Sequence, residues 1–146
     1  MKAKVIVLSF FLMSTGAAFS QAKVVERSII SKDASIRTFH DLDQLKSMQK
    51  GELIELYTER VRVLVKILPN IALAKLPGVT ISDLGIPNDA VNKKALEDVA
   101  QGTQDFLTVS TDFQKKMLPY ADKNTLVAAI LFFETTMKSL HEFEGL

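Results

Sequence analysis

"ELIELYTERVRVLVKIL", residues 52–68, decides how this chain is read. Leu53, Tyr57, Val61, Leu64 and Leu68 recur at steps of three and four, which places them on one apolar stripe of an α-helix. Glu52, Glu55 and Glu59 stand toward its start, Arg62 and Lys66 toward its end, the order that a helix dipole favours. Pro69 has no amide hydrogen and should end or kink the helix, with Ile71 to Leu76 available for a further turn or two. One residue breaks the stripe. At about 100° per residue, Arg60 falls near the middle of the Leu53–Tyr57–Leu64 face, where a core side chain is expected.

Two further helical patterns lie downstream. Between Asp89 and Leu118, the residues Ala95, Val99, Gly102, Phe106, Val109, Phe113 and Met117 keep the same steps, so this stripe is expected to be buried. Asp89–Lys93, Lys94–Asp98 and Asp112–Lys116 form i,i+4 pairs on the opposite side. Gly102 within the stripe suggests close approach of another backbone. "LPYADKNT" then turns the chain, with Asp122 as the cap of a last helix. Leu126, Ile130, Phe133, Met137 and Leu140 form its main stripe, and Val127, Leu131 and Phe132 extend the apolar surface most of the way around. Such a helix should be buried between several neighbours. A short helix over 41–49 opens with Asp41 and Gln44 in capping-box spacing, and Gly51 should separate it from the first long helix.

The expected fold is therefore all-α: an antiparallel bundle of three long helices plus one short N-terminal helix, spanning 41–146. The connection between the first two long helices, "LPNIALAKLPGVTISDLGIPND", is longer than most helix–helix links. It is apolar and stiffened by Pro69, Pro77 and Pro87, so it should be an ordered cap over the open end of the bundle. Residues 21–40 show only short β-branched pairs and should form a mobile or extended arm.

Residues 1–20 have Lys2 and Lys4, an apolar run from Val5 to Met13, and a small-x-small ending. That order is a secretory signal peptide with cleavage near Ser20-Gln21, and the run is too short to span a bilayer. The expected location is periplasmic or secreted, without stable membrane insertion. Loss of Lys2 and Lys4 takes the basic residues from 18 to 16 against 17 acidic ones, so the charge goes from +1 to −1. No basic block offers a footprint for nucleic acid. With no cysteine, stability must come from a packed core, and thiol catalysis and thiolate metal sites are excluded.

Candidates for chemistry are few. No phosphate loop or nucleophile elbow is present. His141 and Glu144, three apart near the C-terminus, are weak metal candidates, and no cofactor is expected. For Arg60 three environments are open: an ion pair with Glu134, which would lie at a comparable height on the last helix, a guanidinium snorkelling to the rim, or an anchor for a ligand. The candidate ligand or partner residues are Arg60, Glu134, Tyr57, Ile81, Leu84, Ile86 and Phe132. The expected function is non-enzymatic, through protein contacts or self-association, as an adaptor, inhibitor or assembly factor. One alternative is a carrier or sensor of a small apolar ligand held under residues 77–87 in a pocket lined by Phe106, Phe113, Phe132 and Phe133. A metal-assisted enzyme is the second alternative.

Overall fold

A computed structural model describes residues 26–142, and four helices and three short 3-10 turns make up most of these described residues. The leader expected over 1–20 and its cleavage near Ser20-Gln21 lie outside these residues, as do Glu144 and the side chain of His141. The helices are α1 (Leu42–Ser47), α2 (Lys50–Ile67), α3 (Ala90–Met117) and α4 (Lys123–Glu142). Among the described residues there is no strand, and an antiparallel bridge between Ser28 and Thr80 is isolated. The chain is all-α. No described helix is long and apolar enough to cross a membrane.

Local chemistry sets the helix ends. Asp41 Oδ1 accepts the Gln44 amide at 2.8 Å while Gln44 Oε1 accepts the Asp41 amide at 2.9 Å, a complete capping box for α1. Gly51 does not separate α1 from α2; it lies in the first turn of α2. The break falls at Met48, whose backbone is extended, because the Glu52 carboxylate already accepts the Gln49 amide at 2.7 Å and starts the next helix there. Asp89 accepts the Asn92 amide at 2.8 Å to open α3, and Asp122 accepts the Asn124 amide at 2.7 Å to open α4.

The core has two apolar clusters. Leu45, Leu53, Leu126, Val127 and Ile130 join α1, the start of α2 and α4. Ile30, Ala34, Val63, Leu64, Ile67, Ala74 and Met137 join the opposite end of α2 to α4, to the connection after α2, and to residues 26–40. Those first described residues are not free of the helices. Ile30 and Ala34 are buried, Ile29 donates its amide to Val79 O at 2.8 Å, and Gly78 donates its own to Ile30 O at 2.9 Å. The connection is pinned in turn by Thr80 N–H on Asp83 Oδ2 at 2.8 Å and by the amides of Leu84 and Ile86 on Ile81 O. Gly78 and Gly85 take φ of 97° and 71°, values that L side chains adopt only with strain.

Two of the expected faces are turned. On α2 the buried residues are Leu53, Thr58, Arg60, Val63, Leu64 and Ile67, whereas Tyr57 and Val61 are half-buried and Leu68 is exposed. The buried arc is shifted because α2 has α4 and residues 30–34 on one side and α3 on another. On α3 the correction is larger. Val99, Phe106, Val109, Phe113 and Met117 all face solvent, and Leu107 and Thr111 are the buried pair. A Cβ placed on Gly102 would meet nothing within 4 Å, so no backbone approaches there. The reason is the neighbour. α3 packs mainly on α2, through a face one residue further round. On α4, Leu126, Ile130 and Met137 are buried as their spacing implies, but Phe132 is exposed, so this helix is not covered on every side.

Candidate functional site

Between the two apolar clusters sits a layer of buried charge. Arg60 and Glu134 are each only 1% exposed. Arg60 Nε and Nη2 both donate to Glu134 Oε1, at 3.0 and 2.6 Å, so the fork converges on one oxygen rather than matching both. That leaves Oε2 to accept the His40 amide at 2.6 Å. Arg60 Nη2 also donates to Thr38 O at 2.6 Å, and Nη1 to Glu59 Oε2 at 2.6 Å. His40 Nδ1 lies 3.2 Å from both Glu134 Oε1 and Arg60 Nη2. Unprotonated, that nitrogen accepts from the guanidinium; protonated, it donates to the carboxylate. A buried charge needs partners, and here three separate pieces of chain supply them.

Beside this layer runs an open groove of about 620 Å³ between residues 33–40 and α2, lined by Arg37, Thr38, His40, Glu59, Arg60 and Arg62, among others. Asp33 at its edge accepts from Lys66 Nζ at 2.7 Å. The Lys66 ammonium, followed by the Ser31 hydroxyl, holds the Asp33 carboxyl below the usual carboxylate value. Both oxygens of Glu134 are engaged by donors, and the layer pairs its charges and holds residues 38–40. Among the described residues, no group of three or more His, Asp and Glu side chains could hold a metal ion.

The other sequence candidates are scattered. Tyr57 is half-buried against Phe133, with ring centroids 5.3 Å apart. Ile81 is buried, Ile86 half-buried and Leu84 exposed, so the apolar connection turns some of these side chains inward and some out. Phe132 meets Phe133 edge-on at 5.9 Å and otherwise faces solvent. The four phenylalanines expected to line one pocket are not brought together as such. The cavity beside Pro77 is about 60 Å³ and is lined by Ala34, Ile36, Phe39, Ile67, Met137 and Leu140.

What the sequence missed is the role of Thr38 and His40. Neither belongs to a periodic pattern, and the one available signal was a histidine directly before a capped helix. The sequence also misplaced the face of α3. Phe106 is 55% exposed, Phe113 60% and Val109 71%, all on one side of a single helix. Scattered exposed apolar residues are ordinary, whereas these are aligned along one side of α3.

The chain matches no known protein family, no curated protein and no solved structure.

Proposed function

We propose that this is an exported, non-enzymatic helical-bundle protein that works through protein contacts, with the open face of α3 as its contact surface. The observation that carries the reading is the solvent-facing row Val99, Phe106, Val109, Phe113 and Met117. Removing such a row from water releases on the order of 25 cal/mol per Å² of apolar surface, a standing drive toward association. The charged layer at Arg60 supports the same reading, since its polar atoms are spent on one another rather than offered to a substrate.

The helices fit an up-down-up bundle. Lys50 reaches Pro119 O at 2.6 Å and Lys115 lies 3.8 Å from Glu55, which suits antiparallel α2 and α3. Leu53 clusters with Leu126, Arg60 bonds Glu134, and Ile67 clusters with Met137, which suits parallel α2 and α4. The 68–89 connection closes one end of this bundle and is held by its hydrogen bonds to residues 29–30. The order of charge, apolar run and small residues in 1–20 supports export.

Photo-crosslinking from Val109, in cells that make the protein naturally and are then fractionated, tests both parts. The expected result is a discrete adduct in the periplasmic or secreted fraction, lost when Phe106 and Phe113 are replaced by aspartate. Absence of any adduct at Val109 would remove the contact function, and recovery of the protein only in the cytoplasm would remove export.

A further inference from the structure

We infer that the open face of α3 takes an amphipathic helix that carries a row of Lys or Arg along one edge. The inference rests on the contact reading above and specifies what the contact is made with. From Val99 to Phe113 the apolar positions alternate strictly in steps of three and four: 99, 102, 106, 109, 113. A mean period of 3.5 is the seam of a coiled coil, and it matches another helix rather than a strand or a flat surface. Gly102 helps, because nothing lies within 4 Å of its missing Cβ and a second helix can approach closely there.

Charge selects the occupant. Asp98, Asp105 and Asp112 stand at seven-residue intervals along one edge of the seam, all exposed. The other edge, toward α2, is uncharged: Thr103 and Ser110. In a coiled coil the residues flanking the seam decide partner and orientation. An antiparallel second copy would set this acidic edge against its own duplicate, which is repulsive. A helix with cations at the same spacing meets the carboxylates instead. Lys94 is on the same side but is taken by Asp98, whose hydrogen bond and charge hold the ammonium pKa above its usual value. Lys116 stands at the C-terminal end of the seam, so the basic row of the partner should stop short of that end.

Two synthetic helical peptides test this, both with leucine at every seam position, one edged with lysine and the other with glutamate. The full chain is expected to bind the lysine-edged peptide, more weakly as salt rises, and to bind the glutamate-edged one about tenfold less tightly, since Asp105 and Asp112 face it without a cation of their own and Asp98 is already paired with Lys94. Replacing Asp98, Asp105 and Asp112 together by lysine should reverse the preference. Circular dichroism of that variant confirms that these solvent-facing changes leave the helices intact. Equal binding of both peptides, or binding of neither, overturns the inference. If neither binds and Val109 still crosslinks, to a second copy or to another protein, the contact function stands and the basic helix does not.

Discussion

Glu134 accepts Arg60 Nε and Nη2 on one oxygen and the His40 amide on the other, deep between two apolar clusters. Replacing it with leucine leaves the buried guanidinium only the more exposed Glu59 carboxylate as counter-charge, which costs about 3 kcal/mol. Arg60→Met is expected to cost a similar amount for the mirror reason. The double variant removes both charges at once and should cost less than the sum of the two by at least ~2 kcal/mol in urea unfolding, because the pair is one unit. Additive losses would show that the two side chains do not depend on each other. A weaker pair lies at the surface. Asp33, held low by Lys66, contributes stability that is present above its unfolded value of 3.8 and disappears as pH falls through its lower folded value. Asp33→Asn should therefore narrow the gap to wild type in thermal melts taken below about pH 3.8, with less than ~1 kcal/mol at stake at neutral pH, since the aspartate is largely exposed. At this scale Arg60 was legible, because it interrupts an apolar stripe. Its His40 and Thr38 partners were not, since an extended segment without alternation leaves no trace of where it docks.

The helices themselves were readable, and with them the main stripe of α4, but the faces of α2 and α3 were not. α3 carries two apolar arcs one residue apart, Val99–Phe106–Phe113 and Leu96–Leu107–Leu118, and periodicity cannot rank them. What turned α3 is that it has α2 as its main neighbour. The glycines give this a test with opposite signs. Gly102→Ala, on an open helix face, should raise stability by about 0.5–1 kcal/mol, through better helix propensity alone. Gly85→Ala, at φ 71°, should lower it by about 1–2 kcal/mol, although nothing crowds the site. Thermal unfolding at low protein concentration reads both. A destabilising Gly102→Ala would mean that the expected buried stripe was right after all.

On the scale of the whole molecule, the pieces depend on one another over long stretches of sequence. The charged layer needs Thr38 and His40, Arg60 and Glu134, drawn from three separate segments. A chain ending at residue 120 lacks α4 and takes from Arg60 its buried partner, Glu134. It is expected to show some helical circular dichroism but no cooperative thermal transition, whereas the full chain melts in a single step. A cooperative melt of the shortened chain would place the stabilising core elsewhere.

The pairing of residues 29–30 with 78–79 carries a consequence for the order of events during synthesis. Residues 29 and 30 lack their backbone partners until residue 79 has followed them. His40 meets the Glu134 carboxylate only once residue 134 is out. Until then the docking of residues 29–40 is incomplete, and so is the burial of Arg60.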